Sequence, residues 1–125
     1  MADLTLLTNK IFLNAALPLV KVIANDVPSL AKKFKNVHAV IQVSALDSSM
    51  PAGKAATHFV VNAGEWQVHA DKVSSRVHVE LQFKSREAMN AFFKGKISPA
   101  TLPKMIGVTK NLKAFVAFMS VLLKM

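Results

Sequence analysis

Apolar residues at the start of the chain recur at the spacing of a helix. The stripe lies between Leu4 and Val27, and its members are Leu7, Ile11, Ala15, Leu19, Val22 and Ile23. This spacing is typical of an amphipathic helix with one apolar face. Pro18 lies inside the run, and because proline lacks an N–H and clashes with the preceding turn, we expect a break or kink there. A second short helix is predicted from Pro28 to Phe34, with Asp26 near its N-cap position.

The next segment changes to a period of two, which predicts a strand. From Val37 to Leu46, apolar residues alternate with polar ones. Val40 and Leu46 interrupt the polar side, so we expect both faces of this strand to be partly covered. A loop rich in Ser, Ala and Gly follows at 47–56.

Two further strands, at 57–62 and 65–70, form a predicted hairpin. Ala63 and Gly64 supply a two-residue turn, and a turn of this length fixes the pairing register. The predicted pairs are Asn62 with Glu65, Val61 with Trp66, Phe59 with Val68 and His58 with His69. Because the apolar members of these pairs fall on one face, the register and the hydrophobic pattern agree.

A fourth strand and a helix are predicted after the hairpin. Residues 76–84 alternate between apolar and polar side chains throughout. Ser85 suits the N-cap of the following helix, and Gly95 suits its C-terminal end. The apolar face of that helix consists of Met89, Phe92 and Phe93.

The last part of the chain predicts a short strand near Met105 and Ile106 and a final helix over about 109–123. The apolar stripe of this helix is predicted at Leu112, Phe115, Val116 and Met119. Phe118, Val121 and Leu122 make it apolar over most of its circumference, so it is either buried or covers something apolar.

The order of these elements predicts an α+β fold with a mostly antiparallel sheet and helices packed on one face. The chain has 125 residues, of which 52% are hydrophobic. That length fits one domain over 1–125, and that composition is incompatible with intrinsic disorder.

Three segments resemble the sterol carrier protein (sterol-transfer) family. The first is the stretch from Pro28 to Val37 that leads into a strand, and the second is the hairpin segment from Gly64 to Val68. The third is the stretch from Phe93 to Pro99, with a Gly-Lys pair after a short helix, followed by a last strand at 105–107. The similarity covers the chain from about residue 5 to its end.

The resemblance implies a five-stranded sheet, helices over one face and an apolar tunnel between the two layers. Members of the family bind sterols, fatty acids, acyl-CoA or other lipids without reacting with them. The family has no fixed set of binding residues, so we select lining candidates by apolarity and adaptable shape. The candidates are Trp66, Phe83, Met89, Phe93, Met105, Leu112, Phe115 and Met119.

The position of the fourth strand has two alternatives. In the family this strand crosses over to the far side of the first strand, whereas a plain meander would place it beside the third. Only the four residues 72–75 connect Asp71 to Arg76, and this link reaches across three strand spacings of about 4.8 Å only if the strand ends fray.

The charge of the chain favours an anionic partner. The net charge is +9, and no acidic side chain follows Glu87. We expect the basic residues to contact an anionic membrane surface or the phosphates of acyl-CoA, or simply to form a solvated face. Nucleic acid is disfavoured because the aromatic residues lie on apolar stripes and are not interleaved with the basic groups.

Histidines offer a possible metal site on the polar face of the sheet. His58 faces His69, and in a meander His69 would also face His78, with Asp71 and Glu80 nearby. Such a row could bind a divalent metal or titrate near pH 6. The alternative is an exposed polar face on which histidines occur by chance, and we assign no metal.

Catalytic patterns are absent from the sequence. It contains no cysteine and no tyrosine, which excludes thiolate chemistry, zinc fingers and iron–sulfur sites, and it has no nucleophile elbow, phosphate loop or dinucleotide fingerprint. We therefore expect a lipid-binding protein that is not an enzyme and has no cofactor. With no signal peptide recognisable near Asp3, Lys10 and Lys21, we expect it in the cytoplasm. The alternative is an interaction or accessory module that docks or dimerises through its apolar final helix, for example through Phe118.

Overall fold

A central sheet with helices on one side organises the computed structural model, which describes residues 2–95, 106–122 and 124. The helical elements are α1 (Ala2–Ile11), a π-helical turn (Phe12–Ala16), α2 (Leu19–Asp26), α3 (Pro28–Phe34), α4 (Arg86–Phe93) and α5 (Leu112–Leu122). The strands are β1 (His38–Leu46), β2 (Lys54–Asn62), β3 (Glu65–His69), β4 (Val79–Phe83) and β5 (Ile106–Thr109). The α+β class predicted from the sequence is confirmed.

The sheet has the strand order β3-β2-β1-β4-β5. The pairs β1/β2, β2/β3 and β4/β5 are antiparallel, whereas β1 and β4 run parallel. The sheet is therefore mixed: three of its four strand pairs are antiparallel, as expected, and the β1/β4 pair is the parallel exception. The parallel pair goes with the crossover. β1 and β3 share a direction because each is antiparallel to β2, and the chain crosses back over the sheet after β3, so that β4 runs in this same direction.

The connection from β3 to β4 crosses one face of the sheet. β3 ends at His69 and β4 begins at Val79, so residues 70–78 are free to span the distance. The predicted strand at 76–84 was thus too long at its start, and the crossover topology is confirmed over the meander. Along its path the backbone N–H of Ser74 donates to Gln42 Oε1 at 2.7 Å. The His78 N–H donates to the Val40 carbonyl at 2.9 Å.

The β2–β3 hairpin has the predicted register. Val61 pairs with Trp66, Phe59 with Val68 and His58 with His69. Ala63 and Gly64 form the turn with φ values of 50° and 87°. Two positive φ values in a two-residue turn match the twist of the flanking strands, and glycine adopts this conformation without a steric penalty.

The N-terminal helical run buries a different face from the one predicted. Its buried residues are Asn9, Leu13, Leu17, Val20 and Ala24. Most of the predicted stripe is exposed instead, including Leu7 (58%) and Ile11 (55%). The break at Pro18 is confirmed: the Leu17 N–H donates to the Phe12 carbonyl at 2.8 Å, and this wider turn precedes the proline. A run that is apolar on more than one side does not identify its inner face by periodicity.

The C-terminal helix α5 shows the same kind of correction. It buries Ala114, Ala117, Phe118, Val121 and Leu122. On the predicted stripe, Leu112 and Val116 are exposed, and Phe115 and Met119 are partly buried. Alanines on the inner face let the helix approach the sheet closely. Because the helix is apolar on most sides, the sequence did not show which face is the inner one. Asn111 caps its start by accepting the Ala114 N–H at 3.0 Å.

The helices cover the sheet face that carries Ile41, Phe59 and Leu81, all of which are buried. Aromatic contacts join the two layers: the Phe59 and Phe118 ring centroids are 5.6 Å apart, and those of Phe83 and Phe92 are 5.2 Å apart. The opposite face of β1 is covered too, because Gln42 and Ser44 are buried beneath the crossover. The expectation that both faces of this strand are covered is confirmed.

One helical run among the described residues, Leu4–Asp26, is long and apolar enough to cross a membrane. It has 23 residues and a mean hydropathy of 1.4 in its most apolar window. Core helices and signal sequences meet the same criterion, so the run does not by itself assign a membrane span.

Candidate functional site

An apolar pocket lies between the N-terminal helices and the ends of α4 and α5. Its volume is about 330 Å³, within the range of small-molecule sites. The lining residues are Phe12, Ala16, Leu19, Ile23, Phe92, Phe93, Gly95 and Leu122. None of these described residues carries a charge, so the pocket suits a hydrocarbon chain or ring system.

Local structure sets the shape of this pocket. The π-helical turn carries Phe12, whose ring stacks on Phe93 with centroids 5.3 Å apart. Phe93 also meets the Phe92 ring edge-to-face at 5.2 Å. Gly95 follows the end of α4 and also lines the pocket. Its φ is 88°, a conformation that glycine adopts readily. Three aromatic rings from two helices thus form one wall.

The structure divides the eight predicted lining residues into several groups. Phe93 lines the apolar pocket. Trp66, Phe83 and Met89 are buried in the core, and Phe115 and Met119 are partly buried against it. Leu112 is 67% exposed and contributes to a shallow groove with Lys33, Lys113 and Val116. Met105 lies outside the described residues.

The N-terminal helices supply half of the pocket, and this half was not predicted from the sequence. Its residues are Phe12, Ala16, Leu19 and Ile23, whereas the predicted lining lay mainly among the methionines and phenylalanines of the last third of the chain. One signal was present: Pro18 marks a local break in the helix, and a break lets side chains on both sides of it converge on one cavity. The phenylalanine at position 12 precedes that break by about one and a half turns.

Among the described residues, Trp66 is the one with a buried side-chain polar atom that lacks a hydrogen-bond partner. Its indole Nε1–H makes no hydrogen bond to any described group, although the residue is only 6% exposed. The ring packs edge-to-face with Phe34 at 4.8 Å and Phe59 at 5.7 Å. These two ring contacts hold the indole within the core, between the sheet and α3.

A buried polar cluster lies on the opposite face of the sheet, under the crossover. Glu80 Oε2 accepts hydrogen bonds from Ser44 Oγ at 2.6 Å, Gln42 Nε2 at 2.9 Å and Lys54 Nζ at 2.9 Å. Burial raises the pKa of Glu80, but the hydrogen bonds from Ser44, Lys54 and Gln42 outweigh it, so the pKa lies below its usual value. Because these side chains are hydrogen-bonded to one another, the geometry of the cluster indicates a structural role.

A second polar network ties α1 to α4 and to the β1–β2 loop. Arg86 Nε donates to Asp47 Oδ2 at 2.7 Å, and Arg86 Nη1 donates to Asn9 Oδ1 at 3.1 Å. Buried Asn9 donates in turn to Asn90 Oδ1 at 2.9 Å. Hydrogen bonds from Ser49 and then from Arg86 lower the pKa of Asp47 to about 2. A hollow of about 950 Å³, lined by residues of both charges, adjoins this network.

The row of three histidines that a meander would form does not occur. His58 and His69 do stack, with ring centroids 4.6 Å apart. His78 instead lies beside β1, where its Nδ1 accepts the Val40 N–H at 2.9 Å, because the crossover carries β4 to the far side of the sheet. Within the described ranges, no group of three or more His, Cys, Asp or Glu residues is placed to hold a metal ion.

Comparisons with known proteins identify the fold. No protein-family model matches the chain, and no curated protein matches it. A crystal structure of sterol carrier protein 2 is similar, with a TM-score of 0.63 and 13% identity, covering 91% of this chain and 95% of that one. The solution structure of sterol carrier protein domain 2 of Helicoverpa armigera gives a TM-score of 0.56 and 16% identity, covering 92% and 87%. Apo sterol carrier protein 2 from Yarrowia lipolytica gives 0.52 and 17%, covering 84% of each chain. The fold is therefore like that of sterol carrier protein 2, as the sequence resemblance indicated.

Proposed function

We propose that this protein binds an apolar lipid without chemical conversion, between its sheet and its helices. The observation that carries the proposal is the pocket of about 330 Å³ whose described lining residues are all uncharged and mostly aromatic or aliphatic. Apolar ligands bind in concave sites of this kind because burial removes their surface from water. A sterol, a fatty acid or an acyl-CoA chain fits this chemistry.

The fold likeness supports the proposal. The similar structures carry the name sterol carrier protein, and they match this chain over most of its length. A shared fold alone does not transfer a function, so the argument rests on the pocket. The docking alternative is not favoured, because Phe118, the residue expected to contact a partner, is completely buried in α5.

Ligand binding can be tested with a pair of matched variants. Ala16 lines the pocket, whereas its neighbour Ala15 is exposed on the same π-helical turn. Ala16→Phe should fill the pocket and weaken binding of a fluorescent fatty acid or sterol by at least tenfold. Ala15→Phe adds the same ring on the outer surface and should leave the affinity unchanged.

Two results would contradict the proposal. One is equal affinity in the Ala16→Phe and Ala15→Phe variants, measured by fluorescence titration with circular dichroism showing both folded. The other is failure of the wild-type protein to bind any of the three lipid classes, together with a native mass spectrum that shows no co-purified lipid. Cytoplasmic localisation, contact with an anionic membrane and self-association stay predictions.

A further inference from the structure

Helix α1 is held against the rest of the protein by polar contacts and lacks a buried apolar face. Of residues 4–11, only Asn9 is buried, whereas Leu4, Leu7 and Ile11 are each more than half exposed. A short helix depends for its stability on packing an apolar face against the protein. Because α1 buries no apolar side chain over these residues, it gains little stability of this kind.

Hydrogen bonds around Asn9 join α1 to α4, and we call this group the Asn9 contacts. Asn9 Nδ2 donates to Asn90 Oδ1 at 2.9 Å, and Arg86 Nη1 donates to Asn9 Oδ1 at 3.1 Å. Asn90 Nδ2 in turn donates to the Thr5 carbonyl at 3.1 Å. Water replaces such partners when a helix separates, so each bond adds only a modest net stability. We therefore expect α1 to open locally more often than a helix that is held by apolar packing.

The firmly held part of the N-terminal run begins immediately after Phe12. Leu13 and Leu17 are completely buried, and Thr57 Oγ1 donates to the Leu13 carbonyl at 2.6 Å. This part starts with the π-helical turn and is followed by Pro18, which has no N–H to donate to the preceding turn. Wider turns and prolines are the places where helices bend. The structure thus combines a weakly held α1, a point of bending and an anchored continuation.

Separation of α1 from α4 would open the apolar pocket. Phe12 lies at the boundary, and its ring stacks on Phe93 at 5.3 Å, where both residues line the pocket. Asn9 precedes Phe12 by three residues, and Asn90 precedes Phe93 by three, so the two pairs are successive contacts along one interface. Loss of the Asn9 contacts would therefore let Phe12 move away from Phe93 and uncover the pocket on this side.

We propose that α1 is a lid over the apolar pocket, held closed by the Asn9 contacts, and that lipid enters and leaves when this lid opens. The inference rests on the proposed function and adds how access to that site is controlled. Binding and release both require the open form, so a weaker lid raises both rates by the same factor. Because the Asn9 contacts lie beside the pocket and not in it, the affinity stays nearly constant while the closed form predominates.

The variant Asn9→Ala tests the lid, with Asn14→Ala as the matched control. Asn14 is exposed, and its Nδ2 donates at 2.9 Å to the Lys10 carbonyl within the same helical run. The probe is cis-parinaric acid, a fluorescent fatty acid, followed by stopped-flow fluorescence. We expect Asn9→Ala to raise the association and dissociation rate constants about tenfold, the effect of one or two hydrogen bonds, and to change the Kd by less than about twofold. Asn14→Ala should leave both rate constants unchanged.

Amide hydrogen exchange of the lipid-free wild-type protein tests the lid without a variant. The amides of residues 9–11 lie inside α1, where a regular helix would protect them. We expect their protection to be at least about tenfold lower than that of Val20 and Ala24, which belong to the buried face of α2. This measurement decides the matter even if Asn9→Ala does not fold, because a helix that never opens locally cannot act as a lid.

Three results would overturn the inference. The first is protection of residues 9–11 equal to that of Val20 and Ala24. The second is faster exchange in α1 of Asn9→Ala with unaltered lipid rates, which would mean that lipid enters by another route. The third is a faster dissociation alone, with a correspondingly weaker affinity, which would mean that Asn9 supports the shape of the pocket. If cis-parinaric acid does not bind the wild-type protein, the proposed function fails and the lid with it, an outcome that the exchange data cannot produce.

Discussion

At the scale of single residues, polar side chains in partly or fully buried positions define how the layers are joined. The Asn9–Arg86–Asp47 contacts attach α1 to the body of the protein, although α1 exposes Leu4 and Leu7 to solvent. Ser85 could be predicted as a cap from the sequence because a cap is a local feature, and its Oγ accepts the Ala88 N–H at 3.0 Å. The long-range polar contacts could not be predicted, since their partners lie far apart in the sequence and only the fold brings them together.

The lowered pKa of Asp47 predicts a loss of stability in acid. Its hydrogen bonds with Ser49 and Arg86 require the carboxylate, and they lower the pKa from 3.8 to about 2 in the folded protein. A group with a depressed folded pKa contributes stability above its unfolded pKa, and that contribution disappears as the pH falls. We expect Asp47→Asn to lower the melting temperature by a few degrees above pH 5 and by progressively less between pH 4 and pH 2.

Melting curves measured from pH 2 to pH 7 by circular dichroism check this prediction. Asp26→Asn, at an exposed position, is the control for the same change in net charge. If the gap between wild type and Asp47→Asn keeps its size down to pH 2, the carboxylate does not make the stabilising contacts described above.

At the scale of elements, the sequence predicts strands better than the orientation of helices. The hairpin register followed from turn length and alternation alone, because a one-residue slip would place Trp66 on the face opposite Phe59. Helix faces were predicted wrongly where the helix is apolar on several sides, as in α5 and the N-terminal run. There the choice of the buried face depends on close packing, for example by Ala114 and Ala117, which hydrophobicity does not reveal.

The same limit explains the partial prediction of the candidate site. Phe93 was selected because it lies on the clear apolar face of α4, and it lines the pocket. Leu112 was selected from a stripe that faces outward, so it is exposed. Phe12 and Ala16 were missed because the wider turn before Pro18 rotates them toward α4, and a regular helical period does not anticipate such a turn.

The hairpin turn offers a prediction about stability. Ala63 adopts a φ of 50°, which costs an L-residue with a Cβ about 1 kcal/mol, whereas asparagine tolerates it better. We expect Ala63→Asn to raise the free energy of unfolding by about 0.5–1 kcal/mol. Urea denaturation measures this, with Ala52→Asn as the control, because Ala52 is exposed in a loop and has no positive φ. An unchanged or lower midpoint for Ala63→Asn would show that the turn is not strained.

At the scale of the whole molecule, the crossover at 70–78 determines the topology. It places β4 between β1 and β5, and β4 runs parallel to β1. The sheet face without helices carries Gln42 and Glu80, and the crossover segment covers it there. With the strand bounds predicted from the sequence, the link reaches this far only if the strand ends fray, and β4 does begin later than predicted, at Val79. The alternation of apolar and polar residues did not exclude the meander, because this alternation does not specify which strand lies beside β4.

Gln42 joins this crossover to the buried cluster, which leads to the last prediction. Its Oε1 accepts the Ser74 N–H at 2.7 Å, and its Nε2 donates to Glu80 at 2.9 Å. Gln42→Leu keeps the volume but removes both bonds, so it should lower the free energy of unfolding by about 2 kcal/mol. We also expect amide hydrogen exchange to accelerate at Ser74 and at His78, since the crossover would open locally more often.

Gln67→Leu is the matched control for this variant, because Gln67 is an exposed strand residue on β3. Hydrogen exchange in this control should match the wild type across the crossover. In Gln42→Leu the hairpin amide of Ala63, which donates to the Val37 carbonyl at 2.8 Å, should keep its protection when exchange occurs by local opening. Because the crossover passes over the sheet face opposite the apolar pocket, lipid affinity should also be unchanged. Unaltered exchange at Ser74 and His78 would mean that the strand order is maintained by backbone pairing alone, without this side-chain bridge.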